Sequence, residues 1–397
     1  MKFKRFYFFL ILIVIGFLLN ILDFTKLLVF KIPNAPLNSQ GISLAEELGY
    51  TKNTKLLVVN SDDTAAHPSF MEGVFETMDA GIVKSTSVIV HNHNEVALKR
   101  IATLSKKKPE WGIGVHLMLT NEYQNRYPWK PVLPKEIVPS LYNSMGLAWA
   151  TIEEVELYAN PKEVYLEFEA QIQKAITLGI SISHLDSHMG TMYRNSYYPG
   201  ANIDDLRMAA VKVAMKYNLP MTVNTFDKNA VKSIQFMDDN QMIRPDTFFG
   251  FYELEEMNSH MSYKGSSLKK WMTALIVNFV FNFKIPYTNK SSVEDDIPVR
   301  MDIIKTAVAK IVKPGLNHFY MHAAHAVSKN GQELPSGLNH AVGLDKIVRL
   351  SDAHVWSSKE MKAFLKKENI VLINYTRLQF LMEKRAKKNR ENLVDFK

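Results

Sequence analysis

The stretch VVNSDDTAAHPSF, residues 58–70, places two carboxylates, Asp62 and Asp63, at the end of an apolar run. Asp is a poor strand former, and adjacent like charges repel unless a cation neutralises them. Other apolar runs end in the same kind of residue: TSVIVH in His91, GIGVH in His116, ISISHLDSH in Asp186 and His188, and NHFYMH in His322. If these runs are parallel strands, their C-terminal ends open on one face, and groups far apart in sequence converge there. One carboxylate and two neutral imidazoles make an open-sided, three-ligand site for a divalent ion. Such an ion lowers the pKa of water and polarises a carbonyl or phosphoryl group. One Asp of the pair would ligate it; the other, held near a cation, would stay ionised and act as general base. His322, across the site, would protonate the leaving group.

Taken singly, each residue has a plainer reading. An isolated Asp-Asp is often a turn that caps the next helix. His116 on an apolar strand can be a satisfied core histidine, and His91, in HNHN, reads as a surface loop. HLDSH is rarer: His184, Asp186 and His188 share one side of a strand, and His184 and His188 one face of a helix. Independent structural histidines have no reason to gather at one end of a sheet, so the joint pattern favours a metal.

The elements that must position these residues alternate short β-rich runs with helical segments, the pattern of a parallel α/β sheet or barrel. Strands are predicted over 55–60, 85–90, 113–119, 180–185, 221–224, 318–321 and 370–374. One helix follows Asn160 as N-cap and Pro161 at its first position, with Val164, Phe168, Ile172 and Ile176 as its apolar stripe and Gly179 as its stop. Residues 228–300 are the least regular, containing YKGSSLKK and the apolar WMTALIVNFVFNF, which is too short to span a bilayer and reads as a buried helix or lid.

The chain has 397 residues, no cysteine and a formal charge of +8. Disulfides, thiolate ligands and a Cys nucleophile are thereby excluded. Residues 1–31 carry five cations against one acid, and residues 383–397 six against three, which leaves the body near neutral. That distribution argues against nucleic acid as a partner. The tail 383–397 reads as a solvated helical end. MKFKR followed by an apolar run over 6–22 reads as an N-terminal transmembrane anchor with its start in the cytoplasm, a cleaved signal peptide being the rival. Residues 32–54 form a linker with one short helix, and the barrel occupies 55–382, outside the cytoplasm.

VVNSDDTAA, GIGVHLMLT, ISHLDSHMGT and FYMHAA, in this order and spacing, resemble the YdjC-like carbohydrate deacetylases, a family that includes chitooligosaccharide deacetylase. The resemblance covers about 53–380. It implies a distorted (β/α) barrel, here of about seven strands, and removal of acetyl groups from an acetylated oligosaccharide or glycan with one divalent metal ion. By motif, Asp62 is implied as base, Asp63, His116 and His188 as metal ligands, and His322 as the acid. Asp186, with His184, would stand behind the ligands. Magnesium or zinc suits this set first, and manganese, cobalt or iron also. The family's Gly two residues after the Asp pair is Ala65 here, and HAAH offers His325 as a competitor to His322. NEYQNRYPWKP adds Tyr123, Arg126, Tyr127 and Trp129 as sugar contacts, or as ordinary packing of a rim loop. A metal-dependent esterase, a phosphoester hydrolase and a non-catalytic glycan-binding protein are the competing functions.

Overall fold

The computed structural model of the chain describes residues 32–38, 40–91, 95–122, 124, 127–193, 203–250, 292–334 and 344–394. The proposed anchor, Tyr123, Arg126, and the YKGSSLKK and WMTALIVNFVFNF segments lie outside the described residues. Among the described residues no helix is long and apolar enough to cross a membrane.

Seven parallel strands form one curled sheet, a half-barrel: β1 (Lys55–Thr64), β2 (Ser85–Val88), β3 (Gly112–Leu117), β4 (Leu185–Ser187), β5 (Thr247–Gly250), β6 (Gly315–Met321) and β7 (Ile370–Leu372). The order is β4-β3-β2-β1-β6-β5. β7 pairs with β1 over its first residues, Lys55 to Leu57, and β2 pairs with β1 further on, from Asn60 to Thr64. The linker does hold one short helix, α1 (Leu44–Glu47), closed by a Ser43–Glu46 capping box.

Three strand expectations change. The strand predicted over 180–185 begins only at Leu185, as β4. The predicted strand 221–224 is reduced to a single bridge, Leu185 to Met221, around which the Leu185 N–H donates to the Pro220 carbonyl and the Thr222 N–H to the Leu185 carbonyl. Within the irregular segment 228–300, β5 and the helix Val231–Asp239 are regular. Four residues of TFFG, buried on both faces, leave no alternation to read.

The helix Pro161–Thr177 forms as predicted, with the Asn160 side chain accepting from the Lys162 N–H at 2.9 Å. Val164, Phe168 and Ile172 are buried, but Ile176 is 47% exposed. Steps of four residues drift about 40° each around a helix, so Ile176 stands roughly 120° from Val164, and Ala175 takes its buried place. Two polar residues on the same buried face hold the long excursion that follows β3. Gln171 exchanges hydrogen bonds with the Met118 backbone at 3.0 and 2.8 Å. Glu167 accepts the N–H groups of Val132 and Leu133 at 2.8 and 3.0 Å.

Candidate metal centre and active site

The Asp pair works because β1 ends in an irregularity. The β1–β2 register shifts between Ser61 and Thr64, and Asp63 has φ 64°. In a regular strand Asp62 and Asp63 would point to opposite faces. The bulge and the left-handed turn, which Asp tolerates better than most residues, let both carboxylates address one space. Ala65 also has φ 73°, so the position where the family has Gly keeps a backbone that suits Gly.

Asp63 is the hub. Its Oδ1 lies 3.0 Å from His188 Nδ1 and 3.3 Å from His116 Nε2. Its Oδ2 accepts from Arg349 at 2.6 Å and lies 3.9 Å from His322 Nε2. The expected cation is therefore present, but on Asp63 rather than on Asp62. Asp62 instead accepts from Asn60 Nδ2 at 2.7 Å, and the same amide group reaches Asp186 at 3.1 Å. Behind these imidazoles, Asp186 Oδ1 stands 2.7 Å from His116 Nδ1, and Glu122 Oε2 stands 2.9 Å from His188 Nε2.

Electrostatics follow from this packing. Burial alone would raise the Asp63 carboxyl, but Arg349, His116 and His188 hold it well below the ordinary range. Burial raises Asp62 well above that range, and Asp186 adds to it. Burial would depress both imidazoles, yet Asp186, Asp63 and Asp62 raise His116 well above normal. Glu122 and Asp63 likewise raise His188, to about 9. His322, facing Arg349 as well as Asp63, is pushed down to about 3, chiefly by burial.

The residues fit a divalent ion. Asp63, His116 and His188 offer donor atoms all within 4.8 Å of one another. Donors about 2.0–2.1 Å from one ion lie about 2.9–3.4 Å apart, which spans the separations found around Asp63 Oδ1. Four buried carboxylates (Asp62, Asp63, Asp186, Glu122) meet here, and a dication offsets the charge that Arg349 leaves unbalanced. A second convergent group, Asp62, His116 and Asp186, shares His116, whose Nδ1 already engages Asp186.

Several sequence expectations need correction. His184 hydrogen-bonds none of Asp63, His116 and His188: its Nδ1 bonds Ser183 at 2.9 Å, and its ring stacks on Tyr375 at 3.9 Å. His91 is no surface loop; it is buried, 3.9 Å from Glu167. Trp129 is only 2% exposed and packs with Phe70, Ile89 and Met118, so its faces serve the core. Tyr127 is half-buried beside it. His325 hydrogen-bonds Glu76, away from Asp63, which leaves His322 at the centre. No motif in the sequence points to Arg349, Asn60 or Glu122. An Arg in the helix Leu344–Ser357 looks solvent-facing in sequence, whereas Glu122, six residues after His116, carried a weak signal.

A model of the YdjC-like family matches residues 56–367, most of the chain. The chain belongs to the YdjC-like family. A carbohydrate deacetylase of Enterococcus faecalis is 33% identical over 187 residues, covering 47% of this chain and 63% of that protein. One of Thermoanaerobacter pseudethanolicus is 29% identical over 177 residues, 45% and 64% of the two chains. A chitooligosaccharide deacetylase of Serratia marcescens is 31% identical over 150 residues, 36% and 53%. Each match thus spans less than two thirds of the relative. A solved Enterococcus faecalis protein proposed to cleave cellobiose phosphate is similar in fold, with a TM-score of 0.54 at 22% identity over 82% of this chain and 99% of that one.

Proposed function

We propose that the protein is a metal-dependent hydrolase that removes acetyl groups from an N-acetylated carbohydrate. The observation that carries the reading is the convergence of Asp63, His116 and His188, with Asp62 alongside, in a chain whose relatives are named carbohydrate deacetylases. Asp63 Oδ1, His116 Nε2 and His188 Nδ1 would hold the ion. When bound, it would polarise the acetamide carbonyl and acidify a water.

Asp62 is the proton acceptor for that water. Its carboxylate is desolvated and faces Asp186, so a nearby positive charge turns it from a group that resists ionisation into an ionised base. His322 is neutral at the outset. Negative charge growing beside it would raise its proton affinity, so that it takes up a proton equivalent to the one Asp62 removes from water and passes it to the departing amine, leaving both side chains as they began. Arg349 keeps Asp63 ionised and in place.

We also infer that residues 1–31 anchor the protein in the membrane with its body outside the cytoplasm, a reading supported by MKFKR and the apolar run over 6–22. Protease protection in sealed cells tests it; a body shielded on the cytoplasmic side would reject it.

The deciding experiment is acetate release by the full chain from N-acetylated oligosaccharides and O-acetylated glycans, with and without divalent metal. Metal-dependent acetate is expected. Asp62→Asn should keep the metal and lose at least about 1,000-fold in turnover, the scale of a base acting with an activated water. Phosphate release in place of acetate would reassign the substrate, and normal turnover in Asp62→Asn would remove Asp62 as base.

A further inference from the structure

Both ligand imidazoles have a carboxylate behind them, but they are turned opposite ways. His116 presents Nε2 to Asp63 and keeps Nδ1 for Asp186. His188 presents Nδ1 to Asp63, so its Nε2 points outward, to Glu122 at 2.9 Å. Asp186 stands in β4's own strand. Glu122 comes from elsewhere: the excursion that follows β3, five residues beyond the strand's end at Leu117.

That excursion is pinned on both sides of Glu122. Thr120 bridges Trp149, and the Asn121 N–H donates to the Trp149 carbonyl at 2.6 Å. The Asn121 side chain donates to the Tyr127 carbonyl at 2.6 Å, and Gln124 Nε2 to the Ala148 carbonyl at 2.6 Å. Glu122 is 8% exposed, so its side-chain rotamer entropy is already lost on folding and little more is lost in bonding His188.

We propose that Glu122 is the positioning residue that fixes His188 as an Nδ1 ligand, giving the metal a mixed set of one Nε2 and one Nδ1 imidazole. A carboxylate that accepts the outer ring N–H selects the tautomer, orients the ring and makes the inner nitrogen a better donor. The same bond ties the rim excursion to the metal, so occupancy of the ion and placement of this excursion are coupled. The inference deepens the metal-dependent reading and rests on it, but not on the identity of the substrate.

The test uses the full chain in detergent, loaded with Co(II) as probe. In wild type, histidine labelled with 15N should show His188 ligating through Nδ1 with an exchangeable Nε2–H, and His116 the reverse. Glu122→Gln should weaken Co(II) affinity by about 10–100-fold, with thermal unfolding of the metal-free protein little changed. Affinity within about threefold of wild type, or His188 ligating through Nε2, would overturn the proposal. The tautomer is read on wild type, so the test survives a Glu122→Gln protein that fails to fold. A wild type that binds no Co(II) also overturns it. Metal coupling without acetate release would leave this inference standing and reject the deacetylase.

Discussion

At the mouth of the half-barrel, His116 and His188 each face two carboxylates. One layer down, His184 and His318 are equally buried but packed among aromatic rings, His184 on Tyr375 and His318 against Phe248 and the Tyr375 hydroxyl. The upper pair is raised in proton affinity, whereas burial pushes His184 down to about 4 and His318 to about 3. His184 and Asp186 are two residues apart on one chain segment, yet one belongs to the core and the other to the site. Burial lowers an imidazole in both layers; only the neighbouring carboxylates reverse it. His184 fits on its other side because Gly114 has no side chain: a Cβ there would lie 2.5 Å from the ring.

The sharpest way to break this contrast is to remove one histidine from each layer. His116→Ala should weaken metal binding by more than about 100-fold, beyond what loss of an outer partner costs, and abolish turnover. His184→Ala should leave metal affinity within about threefold and instead cost about 2–4 kcal/mol of folding stability through the cavity it opens. Titration calorimetry and chemical denaturation read the two effects. Metal loss in His184→Ala would erase the distinction.

A smaller effect concerns protons. A divalent ion must displace the protons that His188 holds up to about pH 9 and that His116 also retains. Apparent metal affinity should therefore rise with pH from 6 to 8, by about tenfold or more per unit. Chelator competition at fixed ionic strength measures it, and a flat profile would mean that the upper histidines resemble the lower ones.

The smallest effect is at Ala65. Ala65→Gly relieves a left-handed backbone worth about 1–2 kcal/mol but gives up one buried methyl worth about 0.8 kcal/mol and adds unfolded-chain entropy. Stability should change by less than about 1 kcal/mol, with activity retained. A larger shift by thermal unfolding would show that the bulge beneath the Asp pair is under greater strain than its φ implies.

Much of the convergence was legible because these residues stand at or just past strand ends, and a parallel sheet brings strand ends together. That held for Asp62, Asp63, His116, Asp186, His188 and His322, and failed for His91, whose HNHN context hid its burial. It failed also for Trp129, since an aromatic on a rim loop can turn inward to fill a gap or outward to meet a ligand, and spacing does not say which.

The sequence by itself determined the local chemistry: the caps and stops of helices, the alternation of α and β, and the residue types able to hold a metal. Those depend on neighbours along the chain. Tertiary structure decided which imidazole nitrogen faces the ion, which carboxylate stands behind it, and that Arg349 pairs with Asp63 rather than Asp62. It also decided that β7 and β2 share one side of β1. Such choices arise between residues as much as 286 positions apart, where electrostatics and packing act through space and leave no periodic trace in the chain.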